Sequence, residues 1–238
     1  MSATPVEVIN VVPPAPLRSF DPREVPVSSI DTSLAAVAFD QLGVGALRAR
    51  FATPPAWTPE LRREPQMSDR PPAQAAVLVP IVTREQPTVL LTERTAHLTH
   101  HSGQVAFPGG RVDPEDANIS AAALREAWEE VGLSAEYIEV LGTLPTYTTI
   151  TSFIVTPVVA LVRPDFELAI NPHEVAEAFE VPLAFLMNPA NHRRHTMTDD
   201  DRRSREWLSM PYQDGPNERF VWGATAGMLR NLYRFLSA

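Results

Sequence analysis

The run GGRVDPEDANISAAALREAWEEVGL, residues 109–133, decides how this chain is read. Its periodicity predicts a helix from Ile119 to Val131, ended by Gly132, which adopts the left-handed cap conformation without a Cβ penalty. An apolar stripe of Leu124, Ala127 and Val131, with Ala121 and Ala123 close by, is predicted to face a core. Glu126, Glu129 and Glu130 then fall on the other side, nearly on one face. Residues three and four apart on a helix are neighbours, so these carboxylates repel one another. Water alone can tolerate that, and charge runs usually mean a solvated face. A cation resolves the repulsion differently. Three carboxylates beside a carbonyl of the glycine loop form an all-oxygen site suited to magnesium, which often bridges protein acids to substrate phosphates.

Outward from this helix, both flanks read as strands. Upstream, QAAVLVPIV and TVLLTER are apolar runs of strand length joined by TREQP, a hairpin pattern. Downstream, YIEVLGTLPTYTT and FIVTPVVALV are predicted strands, and NPHEVAEAFEVPLAFLM a loop carrying acids followed by a short helix. HRRHTMTDDDRRSREWLSMPY reads as a charged hairpin turning at TDDD, and RFVWGATAGMLRNLYRFLSA as a strand leading into a last helix. Mixed strands with two main helices predict an α+β fold with a sheet between helical layers.

Residues 1–70 differ in texture. Half of the 24 prolines lie within the first 72 residues. VVPPAP cannot join a helix, so the tip is expected to be disordered, whereas residues 28–52 suit one or two short helices. We expect 1–70 to be a proline-rich extension packing partly on a main domain at 71–238. The formal net charge of −9 argues against a nucleic-acid binder. A phosphorylated small molecule remains compatible if a cation bridges acid to acid. With no cysteine, disulfides, zinc–thiolate sites and cysteine nucleophiles are excluded. Neither a signal peptide nor an apolar run of membrane-spanning length is found, so a soluble cytoplasmic protein is expected.

The run from Gly110 to Leu133 resembles the Nudix box, G-x5-E-x7-R-E-U-x-E-E-x-G-U with U aliphatic. Arg125, Glu126, Ala127, Trp128, Glu129, Glu130, Val131, Gly132 and Leu133 match its second half. Asp116 stands where the box has glutamate, the spacer after it is one residue longer, and Ala127 is smaller than usual. The resemblance spans roughly residues 70–238. It implies a Nudix-type α/β/α sandwich and metal-dependent hydrolysis of a substituted nucleoside diphosphate. Glu126, Glu129, Glu130 and the Gly110 carbonyl would hold Mg2+ or Mn2+. Arg125 would pair with acids of the cluster, and Asp116 would reach metal through water or begin the helix. Trp128 would pack under a neighbouring loop.

LLTERTAHLTHHSGQVAFPGG, residues 90–110, resembles the further motif of the coenzyme A pyrophosphatase branch. Leu90, Leu91, Thr92, Arg94, Gly103 and Phe107 to Gly110 match; Thr95 and Thr99 depart from it. The implied substrate is coenzyme A or its acylated or oxidised forms, and the alternatives are ADP-ribose, NADH, or a sensor that binds without cleaving. Arg94, His101, Gly109 and Arg111 are candidates for substrate contact. Glu174, with Glu177 beside it, is the candidate acid that positions water. Arg193, Arg194, Arg202, Arg203 and Arg205 are a further basic group that could meet a phosphate. The resemblance also allows a homodimer to which residues 20–70 contribute.

Overall fold

A computed structural model describes residues 20–64, 71–95, 103–198 and 204–238. In chain order they form β1 (Val27–Ile30), a 3-10 turn at Phe39–Leu42, α1 (Val44–Ala52), β2 (Ala73–Val82), β3 (Thr88–Arg94), β4 (Val105–Ala106) and β5 (Gly109–Arg111). Then come α2 (Ile119–Val131), β6 (Ile138–Thr143), β7 (Tyr147–Thr148), β8 (Phe153–Val162), β9 (Val175–Pro182) and α3 (Leu183–Leu186). The chain ends in β10 (Arg193–Thr198), β11 (Ser204–Asp214), β12 (Asn217–Trp222) and α4 (Gly223–Leu236).

Alternation along the strands sorts the core into two layers. β2 and β8 run parallel, Ala73 opposite Phe153 through Val82 opposite Val162. Successive side chains of a strand project to opposite faces. Ala76, Leu78, Val158 and Ala160 therefore meet Ala122, Ala123, Ala127 and Val131 of α2. Ala75, Val79, Ile81, Val155, Val159 and Leu161 meet Leu229, Leu232 and Phe235 of α4. The eight-stranded mixed sheet thus lies between two helical layers, as expected for the α+β sandwich. A second sheet, ordered β1-β10-β11-β12, contains the expected charged hairpin. Its turn, 199–203, lies outside the described residues.

Three local expectations need correction. VAEAFEVP is strand β9, paired with β3, and not a loop. Its alternation buries Val175, Phe179 and Val181 while Glu177 and Glu180 reach distant arginines. On α2 the buried stripe includes Ala122, while Leu124 is only partly covered. Trp128 is 59% exposed, and among the described residues no loop covers it.

The extension is docked rather than loosely attached over its described part. Leu42 and Leu47 are buried in the α4-side core, and β1 pairs with β10. Asn231 receives the Leu61 N–H at 3.0 Å and donates to the Leu61 carbonyl at 2.5 Å. Arg230, only 1% exposed, pairs with Asp31 at 3.0 Å and Glu60 at 2.8 Å. Residues 1–19, where a disordered tip was expected, lie outside the described range.

His192, fully buried beside this cluster, meets the Leu186 carbonyl through Nε2 at 2.8 Å and Arg230 through Nδ1 at 3.1 Å. Arg230 can only donate, so the network assigns the proton to Nε2. Burial, with the Arg230 charge adding to it, lowers the His192 pKa to about 4. The unfolded chain therefore takes up a proton below about pH 6.5 that the folded chain refuses. Stability from this group is present above that pH and lost as pH falls towards 4, by ~3 kcal/mol in total. Urea unfolding at pH 7 and pH 5 should show the loss, and His192→Gln should flatten the pH profile. Equal slopes for the two proteins would refute this assignment.

Candidate active site

Asn118 starts α2 by accepting the Ala121 N–H at 3.0 Å, and Gly132 ends it at φ 68°. The helix lies against β2 and β5, which brings the acids over the GG strand. An ideal Cβ on Gly110 would stand 2.5 Å from the Glu126 carboxylate, so glycine is needed for this approach. Gly109 donates its N–H to Glu130 at 3.2 Å. At φ 158° its own Cβ would collide with the Ala76 carbonyl oxygen.

The three glutamates differ sharply in environment. Glu130 is 3% exposed, not on a wet face as the periodicity suggested. Burial raises its pKa to about 7, opposed by the Gly109 N–H and by Arg94, whose guanidinium lies 3.7 Å away. The charges of Glu126 and Glu174 push it further up. Glu126 is half-buried and also raised, first by burial and then by Glu129 and Glu174, against the pull of Arg125. Glu129 is exposed. Glu174, at the start of β9, accepts from Asn171 Nδ2 at 3.1 Å, and its charge reaches both buried acids.

Arg125 ties the site together. It holds Asp116 with two bonds, 3.0 and 2.9 Å, and reaches Glu126 at 3.0 Å and Glu129 at 3.1 Å. It also donates to the Arg111 carbonyl at 3.1 Å, linking α2 to β5. The expected pairing of Arg125 with the cluster is found. Asp116, doubtful in the sequence, is its main partner and holds the loop by accepting the Asp113 N–H at 2.8 Å. The shorter acid therefore stays beneath the arginine. No rule of motif spacing indicated this, since Asp116 stands among three acids, Asp113, Glu115 and Asp116, ahead of the helix.

Among the described residues no three His, Asp or Glu side chains converge as a metal-ligand set. One guanidinium nitrogen of Arg125 stands between Glu126 and Glu129, at 3.0 and 3.1 Å. The donor chemistry nevertheless fits a hard divalent cation: all side chains concerned are carboxylates, two of them raised by burial and mutual repulsion.

Other candidates fare unequally. Arg94 faces Glu130, and Arg111 is exposed with its guanidinium 5.7 Å from the Phe153 ring centre. Glu177 is excluded from the cluster because Arg219 grips it with two 2.7 Å bonds. Arg194 is spent on Asp31 and Glu60 of the extension, and Arg205 rests against Phe20 and Trp207. His101, Arg202 and Arg203 lie outside the described residues.

An acid-bearing helix packed over a GG strand, with an arginine binding the acids to that strand, defines a Nudix-type centre. The NUDIX domain profile matches residues 72–208, and the chain belongs to the Nudix family. It is a hydrolase of nucleoside diphosphate derivatives. A protein of Enterobacter sp. (strain 638), named "Uncharacterized Nudix hydrolase NudL", is 47% identical over 159 residues, covering 67% of this chain and 80% of that protein. A protein of the same name from Shigella flexneri serotype 5b (strain 8401) is 45% identical over 174 residues, covering 73% and 86%. Among solved structures, a MutT/nudix family protein from Enterococcus faecalis is similar at 16% identity and TM-score 0.43, covering 71% of this chain and 63% of that one. Among the described residues no helix is long and apolar enough to cross a membrane.

Proposed function

We propose that this chain hydrolyses the diphosphate of coenzyme A, or of its acylated or oxidised forms, to 4'-phosphopantetheine and adenosine 3',5'-bisphosphate. The observation that carries the substrate is the run from Leu90 to Gly110, whose LLTER and FPGG ends match the coenzyme A branch of the family. Support comes from where that run leads: Arg94 at its start and Gly109 at its end both meet Glu130.

Water adds to one phosphorus of the anhydride, the bridging P–O bond breaks, and two phosphate monoesters leave. Glu126, Glu129, Glu130 and the Gly110 carbonyl would hold Mg2+ or Mn2+, which supplies charge neutralisation of the diphosphate and activation of water. Arg125 orients the acids. Glu174 borders the cluster where it can accept a hydrogen bond from the attacking water. Arg94, facing Glu130, and Arg111, at the end of the GG strand, bring positive charge suited to phosphate oxygens.

The test is product analysis by mass spectrometry after incubation with coenzyme A and Mg2+ or Mn2+. Both named products are expected from the wild type and neither from Glu129→Gln. Cleavage of ADP-ribose or NADH with coenzyme A intact would replace the substrate. Binding of coenzyme A with no substrate cleaved would replace the reaction by sensing.

A further inference from the structure

Residues 61–64 precede the family match yet are built into the sheet. Glu64 N–H donates to the Thr148 carbonyl at 2.8 Å, and Thr148 N–H donates to the Arg62 carbonyl at 2.9 Å. The Glu64 carboxylate, on a residue only 8% exposed, accepts the Ile150 N–H at 2.8 Å. That bond anchors a tight turn, Thr149 to Ser152. Within it Ser152, buried, adopts φ 66°, a conformation a non-glycine residue keeps only when its surroundings impose it. The Ser152 carbonyl accepts the Ala73 N–H at 3.1 Å, which ties the turn to the start of β2.

This turn forms one wall of a cavity of about 410 Å³. Thr151, Phe153, Pro72 and Gln74 line it together with Arg111, the residue after Gly110. Among the described residues Arg111 pairs with no carboxylate and lies over the face of Phe153. The lining therefore offers an aromatic and apolar surface, an amide and a hydroxyl, and a cation next in sequence to Gly110 that pairs with no carboxylate among the described residues. A planar base with a phosphate has matching chemistry.

Resting on the coenzyme A reading, we propose that this cavity receives the nucleotide half of the substrate, with a phosphate at Arg111, and that Glu64 of the extension is a positioning residue for its wall. The phosphopantetheine half then lies outside the cavity. The extension is, on this account, part of the specificity machinery.

The full chain is tested as Arg111→Met, Glu64→Ala and Glu64→Gln, by kinetics with coenzyme A and by calorimetric binding of each product separately. Arg111→Met and Glu64→Ala should raise KM and weaken adenosine 3',5'-bisphosphate binding by about tenfold, with kcat within about threefold and 4'-phosphopantetheine binding unchanged. Glu64→Gln keeps an acceptor for the Ile150 N–H and should behave as wild type. Unchanged KM and product affinities in Arg111→Met, in an enzyme that cleaves coenzyme A, overturn the cavity assignment alone. Equal weakening of both products by Glu64→Ala, or no rescue by Glu64→Gln, overturns the positioning role. Should the wild type leave coenzyme A intact and cleave another nucleoside diphosphate, the substrate reading falls. The same binding comparison with AMP then decides the cavity.

Discussion

Glu130→Gln is expected to abolish nearly all hydrolysis, by about 10²–10³-fold, while the protein keeps its fold and melting temperature. The two halves of this expectation have separate physical origins. Glutamine has the size of glutamate and still offers an oxygen to the Gly109 N–H, the backbone group that the Glu130 carboxylate meets. It also removes a charge from a site where burial disfavours it. Folding therefore loses nothing substantial. The reaction loses an anionic ligand aimed at the metal, and charge stabilisation of that kind is worth several kcal/mol, with ~1.4 kcal/mol for each factor of ten. Glu129→Gln should act in the same direction, and its exposed position makes it the safer variant for folding. Calorimetric titration with Mg2+ or Mn2+ gives the second readout. If Glu130→Gln and Glu129→Gln both bound metal and turned over as the wild type does, the acid cluster would not be the reaction centre.

Glu60→Ala should destabilise the fold by about 3 kcal/mol, near the lower end for breaking a buried ion pair. Glu60 accepts from Arg230 at 2.8 Å and Arg194 at 2.6 Å, and Arg230 is almost wholly enclosed. Truncation leaves that guanidinium with Asp31, His192 and the face of Tyr233, and the damage is limited because Asp31 stays at 3.0 Å. For a chain of this size the melting temperature should fall by roughly 10 °C. Limited proteolysis should meanwhile open cleavage sites between residues 20 and 64. A fall of less than about 2 °C would mean that apolar packing of Leu42, Leu47 and Phe51 holds the extension without the ionic clamp.

Helix α2 was legible to the residue because its determinants are local. A 3.6-residue apolar period and a terminal glycine act within a single turn, and no distant group is needed to read them. The β2–β3 hairpin was legible for the same reason, since its pairing partners lie a few residues apart. β9 was not. Its alternation is weakened by Glu177 and Glu180, whose partners Arg219 and Arg84 lie 42 and 96 residues away. Without those partners the two acids read as solvent-facing loop. The misplacement of Glu130 has a similar cause. Its helical angle groups it with Glu129, but β5 covers one of the two and leaves the other open.

From the chain alone came the acid helix, the glycine segment before it and the family they define, because each depends on residues adjacent along the sequence; that the glycines form strand β5, and not the loop expected, came from pairing with β2. The tertiary structure alone decided which glutamate is buried, that Asp116 serves Arg125, and that the proline-rich extension reaches the turn at Thr149–Ser152. Those outcomes follow from burial, from a charge pair folded back onto the helix and from a hydrogen bond closed across 86 residues. None has a counterpart in the spacing of a motif.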